Sequence, residues 1–160
     1  MNASVFLLNH AVLIAVRAHE GRCDKYGAPY ILHPLRVMMR VRSLVEKVVA
    51  VLHDTVEDSE ITLDDLRREG FPDEVVEGVD CLTRREGESY EQYMERVVTS
   101  PLAVTVKIAD FEDNMDLRRF PEVGPKEVER LQRYHAYWRM LNNLCGEDSG
   151  KRGRDSAHHP

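Results

Sequence analysis

The chain is poor in thiols, with 3 cysteines among 160 residues. Cys23, Cys81 and Cys145 lie far apart with no C-x-x-C spacing. That odd, scattered set argues against a disulfide scaffold and a thiolate zinc site, and it fits a reducing, cytoplasmic setting. Positive charge is also scarce: 22 basic residues face 28 acidic ones, a formal net charge of −6. No overall field then draws in long nucleic acid or an anionic membrane, so an anionic substrate needs a local basic cluster or a metal. No apolar run approaches the ~20 residues of a membrane span. The best candidate, Val5 to Val16, is interrupted by Asn9 and His10 and has no Lys or Arg before it. It is expected to be a buried first helix rather than a cleaved signal. Hairpin signals and internal repeats are missing too.

What the chain does have is helical punctuation from end to end. Gly21 to Pro29 reads as a loop, and Pro34 as the start of a short helix reaching about Ser43. One helix is expected over Leu44 to Asp58. Thr62 to Asp65 has the form of a capping box for a helix closed by Gly70, Pro72 opens another through Leu82, and Ser89 to Gln92 caps a further one. Ser100-Pro101 begins a long helix to about Arg119, and the last follows Pro125 to near Cys145. The expected fold class is all-α, a single-domain helical bundle over residues 1–145. Residues 146–160 are polar and glycine-containing, and are expected to form a disordered tail.

At about 100° per residue, with His53 as zero, Glu57, Asp54 and Asp58 fall near 40°, 100° and 140°, while Val48, Val49, Val51, Leu52 and Val56 take the other side. One face is core and the other concentrates ligand chemistry. The plain alternative is that Glu57 and Asp58 form a solvated helix end, although acid there opposes the helix dipole. His53-Asp54 offers an imidazole and a carboxylate side by side. His33 before Pro34 adds a second imidazole, and Asp110 a second carboxylate. Such a thiolate-free set suits Mn, Fe or Zn.

Ala18-His19-Glu20-Gly21, Lys25 to Pro34, Leu52 to Asp58, and Val106 to Asp110 with Asn114-Met115, in that order, resemble the hydrolase domain of the RelA/SpoT family within the HD phosphohydrolase superfamily. The chain is similar to the small, stand-alone alarmone hydrolases over about residues 5–145, and 160 residues leave no room for a synthetase domain. The resemblance implies an HD-type all-α fold. It implies one metal, most often Mn²⁺ with Fe²⁺ or Zn²⁺ as alternatives, held by His33, His53, Asp54 and Asp110. It further implies that Glu57 and Asp58 position or deprotonate water and that Asn114 shapes the pocket. Lys25 and Lys107 are candidate phosphate contacts, against the plain reading of a lone lysine as a solvated group. His19 either belongs beside the pocket or is a buried histidine bonded to backbone.

The departures concern recognition of the base. Asp24-Lys25 stands where an Arg-Lys pair is common, Asp110-Phe111-Glu112-Asp113-Asn114 replaces Asp-Arg-Leu-His-Asn, and Leu117 replaces a threonine. Asp24 is expected to repel phosphate, so that Asp24→Arg would improve use of guanosine polyphosphates. The sequence therefore supports a metal-dependent phosphohydrolase of nucleotide-like small molecules, with 3′-pyrophosphohydrolysis of ppGpp leading. A phosphomonoesterase acting on another nucleotide or dinucleotide cofactor, and a non-catalytic HD-type nucleotide sensor, are the alternatives.

Overall fold

A computed structural model describes the backbone of residues 3–152 and the side chains of 5–146. It is all-α, with no strand among the described residues. In chain order the helices are α1 (Ala3–Ala18), α2 (Leu32–Arg40), α3 (Leu44–Leu52), α4 (Thr55–Asp58), α5 (Leu63–Arg68), α6 (Asp73–Leu82), α7 (Tyr90–Val97), α8 (Pro101–Asn114) and α9 (Pro125–Arg152). A short 3₁₀ turn, Leu117–Arg119, follows α8.

α3 is the hub, packed against α1, α2, α6 and α8. Val48, Val49, Ala50, Val51 and Leu52 are all buried, so the C-terminal half of this helix is enclosed on every side, while Glu46 and Lys47 lie in its more open first turn. Burying each of the larger side chains contributes roughly 1.5–3 kcal/mol. Its start is fixed by a capping box: Glu46 N–H donates to Ser43 Oγ at 3.2 Å, and Ser43 N–H donates to Glu46 Oε2 at 2.8 Å. α6 lies close against α3 at Gly78, where a Cβ would meet a Val49 methyl at 3.2 Å. α1 buries only one face, through Ala11, Ile14 and Ala15, while Phe6 and Leu13 stay exposed. No described helix is long and apolar enough to cross a membrane.

Several expected boundaries move. The helix expected from Pro34 to about Ser43 runs over Leu32–Arg40, and Val41 is already extended. The helix expected over Leu44 to Asp58 is broken: α3 ends at Leu52, Asp54 takes φ −97° and ψ −4°, and α4 is a separate single turn. The helix expected to reach Arg119 stops at Asn114. α9 ends at Arg152 instead of near Cys145; the rest of the expected tail, 153–160, lies outside the described residues.

Candidate metal centre

Three helices deliver the donors. His33 stands in the first turn of α2, where Pro34 follows without the need for an N–H. His53 and Asp54 occupy the break between α3 and α4, and Asp110 comes from α8. His33 Nε2 lies 3.1 Å from Asp110 Oδ1 and 3.5 Å from Asp54 Oδ2. His53 Nε2 is 3.2 Å from Asp54 Oδ2 and 3.8 Å from Asp110 Oδ1. Donor atoms of His33, His53 and Asp54 all fall within 4.8 Å of one another. His53 and Asp54 converge where the Asp54 backbone departs from regular helical values, at φ −97° and ψ −4°. Neighbours in a regular helix point about 100° apart and do not face each other.

The outer edges of both rings are already committed. His53 Nδ1 donates to the Ala50 carbonyl at 2.7 Å, and His33 Nδ1 lies 2.8 Å from Asp113 Oδ2. Burial pushes the Asp113 carboxyl up, but hydrogen bonds from His33 and Arg36 hold it well below the usual range, so Nδ1 is the donor there. Both Nε2 atoms then face the carboxylates. His53 Nε2 is buried with no hydrogen-bond partner, and an orphaned imidazole nitrogen beside two carboxylates is what a divalent cation fits. Burial alone would lower the histidines. Asp110 and Asp113 at His33, and Asp54 and Asp110 at His53, raise them instead. The cluster therefore draws protons where it would draw a cation.

The carboxylates are steadied in turn. Tyr30 O–H donates to Asp54 Oδ2 at 2.7 Å, and burial together with the Asp54 charge keeps that phenol protonated far above its ordinary range. Asn114 Nδ2 donates to Asp110 Oδ1 at 2.6 Å, and Lys107 Nζ to Asp110 Oδ2 at 2.8 Å. Lys107 is buried, with Tyr93 and Phe111 rings 5.1 and 5.0 Å from its ammonium. It stands behind Asp110 and does not line the cleft.

Beside His33 and Asn114 opens a cleft of about 210 Å³ between the 22–30 loop and Arg119, Phe120 and Arg130. Lys25 lines it, 4.6 Å from the Tyr26 ring centre and 5.1 Å from that of Phe120. Glu57 and Asp58 part ways. Asp58 accepts from Arg22 through its side chain at 3.0 Å and through its carbonyl. Glu57 faces the loop after α6, accepting from Arg84 N–H at 3.0 Å. Desolvation and the nearby Asp54 charge push the Glu57 carboxyl up. His19 is buried and bonded to no backbone group; its ring lies 4.9 Å from Tyr30, and its Nδ1 is 4.0 Å from Asp58.

Asp24 does not act as expected. Its carboxylate accepts Tyr26 and Ala28 N–H at 2.9 and 3.0 Å and pairs with Arg119 at 3.1 Å. The charge is compensated and holds the loop, so Asp24→Arg would break the turn. Tyr30, Asp113 and Arg119 received no role from the sequence. Asp113 had a findable signal, since it lies one turn after Asp110 on α8. The Arg119 link to Asp24 had none, because that partner is 95 residues away.

No family model matches the chain. A probable GTP pyrophosphokinase of Mycobacterium leprae is 35% identical over 144 residues, covering 82% of this chain and 18% of that protein. A guanosine-3′,5′-bis(diphosphate) 3′-pyrophosphohydrolase of Vibrio cholerae and the bifunctional (p)ppGpp synthase/hydrolase SpoT of Escherichia coli are each 29% identical over 140 residues, 79% of this chain and 20% of theirs. The chain thus spans about a fifth of the length of these relatives. The solved structure of a metazoan SpoT orthologue that hydrolyzes ppGpp shares the fold, with TM-score 0.67 and 23% identity over 84% of this chain and 83% of that one.

Proposed function

The chain is homologous to a segment of the RelA/SpoT-type enzymes, and from that kinship we propose that it is a metal-dependent phosphohydrolase of nucleotide-like substrates, with 3′-pyrophosphate release from ppGpp as the leading reaction. The observation that carries this reading is the convergence of His33 and His53 Nε2 on Asp54 and Asp110, with both rings tethered from behind. These four residues would hold one divalent ion, Mn²⁺ before Fe²⁺ or Zn²⁺. Such an ion neutralises phosphoryl charge and lets water lose a proton near neutral pH. Within residues 1–145, the proposed catalytic unit, Glu57 is the base, and its raised pKa suits a group that must take and release a proton. Water oxygen bonds to phosphorus, the bond from phosphorus to the ribose 3′ oxygen breaks, and the water proton passes to Glu57 and on to the departing oxygen, which leaves as the 3′ hydroxyl. Asp58 holds Arg22 at the cleft edge, where Arg22 and Lys25 meet phosphate. Asn114 and Lys107 fix Asp110. The odd, scattered set of three cysteines without C-x-x-C spacing supports a cytoplasmic setting.

The test is a release screen of the Mn²⁺-loaded protein against nucleotides including ppGpp. Pyrophosphate from ppGpp supports the leading reaction. Orthophosphate from another nucleotide or dinucleotide replaces it with a phosphomonoesterase. Tight nucleotide binding without release leaves a sensor.

A further inference from the structure

We propose that Asp113 is a positioning residue that sets two places at once: the ring of His33 at the donor cluster, and the Asp24–Ala28 turn at the mouth of the cleft. The first half rests on the metal reading above, and the second on geometry alone.

Asp113 is fully buried and has no role in the hydrolytic chemistry. Its Oδ2 lies 2.8 Å from His33 Nδ1 and accepts from Arg119 Nη1 at 2.7 Å, while its Oδ1 accepts from Arg36 Nε at 2.7 Å. Arg119 continues the chain of contacts. Nη1 also donates to the Asp113 carbonyl at 3.0 Å, and Nη2 donates to Asp24 Oδ2 at 3.1 Å. Asp24 in turn receives the Tyr26 and Ala28 amides. Gly27 completes that turn at φ +85°, a left-handed conformation that L side chains rarely adopt.

Exposed ion pairs would carry little weight, but these are sheltered: the side chains of Asp113, Asp24 and Arg119 are 0%, 13% and 20% exposed. The guanidinium is a rigid planar fork, so it fixes the separation of the two carboxylates it joins. A lysine at that position supplies the same charge at a single point and cannot bridge both. The carboxylate that orients a donor ring therefore also fixes the loop on which Lys25 and Tyr26 stand.

The test uses the full chain and two readouts independent of turnover. Mn²⁺ affinity is read from the free-ion paramagnetic resonance signal, and loop order from amide hydrogen exchange over residues 22–30. Asp113→Asn should weaken Mn²⁺ about 10- to 100-fold, the usual effect of losing a partner behind a ligand histidine, and should speed loop exchange about tenfold. Arg119→Gln and Arg119→Lys should both speed loop exchange about tenfold, as expected for loss of a charge-assisted hydrogen bond, and both should leave Mn²⁺ affinity within about twofold of the unaltered protein, their Asp113–His33 contact being kept. Unchanged Mn²⁺ affinity in Asp113→Asn overturns the first half. Wild-type exchange in either Arg119 variant overturns the second. If Asp113→Asn loses its helical circular dichroism, Asp113→Glu takes its place, and unaltered Mn²⁺ affinity there overturns the first half. An unaltered protein that binds no Mn²⁺ overturns the metal reading and the His33 half with it, while the exchange arm still decides the loop half.

Discussion

At the scale of single residues, the centre depends on side chains whose near and far atoms have different tasks. His53 gives Nδ1 to the Ala50 carbonyl and turns Nε2 inward, so His53→Ala removes a donor, and Asp54→Ala removes a carboxylate that lies 3.2 Å from His53 Nε2 and 3.5 Å from His33 Nε2. Metal analysis of either variant should show loss of the roughly one equivalent of transition metal expected for a single donor set. Glu57 differs, because its partner is a backbone amide outside the cluster. Glu57→Gln should keep the metal and reduce turnover by about 10²- to 10⁴-fold, the usual cost of a lost general base; retained turnover would assign the proton to another group. His33, His53, Asp54, Asp110 and Glu57 were readable as candidates because donor chemistry belongs to residue type. The task of Asp24 was not, because a carboxylate reads the same in sequence whether it faces substrate or closes its own turn.

At the scale of elements, caps and breaks were legible to different degrees. Ser43, Thr62, Ser89 and Ser100 each accept from an amide in the first turn of the following helix, since capping is local chemistry. The break at His53-Asp54 has no glycine or proline to announce it; Tyr30 O–H donates to Asp54 there, and Thr55 beside it is buried. Between α6 and α7, Arg96 grips Glu88 with two hydrogen bonds of 2.6 and 2.8 Å and donates to the Asp80 and Thr83 carbonyls. The Arg96 hydrogen bonds hold the Glu88 carboxyl down to about 2 from an ordinary 4.5. Because the folded-state value is depressed, this contact contributes fully above pH 4.5 and fades as pH falls toward 2. A carbon-detected carboxylate titration should place the Glu88 midpoint near 2, and an ordinary midpoint would show that the clamp is not formed in solution. Gly78 gives a second expectation. Its Cβ position is already filled by Val49 and Leu102 methyls at 3.2 and 3.3 Å, so Gly78→Val should cost about 1–3 kcal/mol through overpacking, measured by denaturant unfolding.

At the scale of the whole molecule, the donor set joins α2, α8 and the end of α3, three elements the chain brings together only on folding. A ligand that binds only the folded state stabilises it, by about 2.7 kcal/mol at a hundredfold excess over its dissociation constant. For a chain of this size that corresponds to a Tm rise of roughly 5–10 °C. Mn²⁺ should produce this rise in a thermal melt, EDTA should reverse it, and His53→Ala should abolish it. The all-α class, most helix starts and the candidate donors are legible in the chain alone, because periodicity, caps and ligand chemistry act through residue identity over a few positions. That His53 and Asp54 face one point, that Lys107 stands behind Asp110, and that Asp24 is bound to Arg119 come from the packed fold. Each of these depends on contacts between segments far apart in the chain, and their direction in space is not encoded in local spacing.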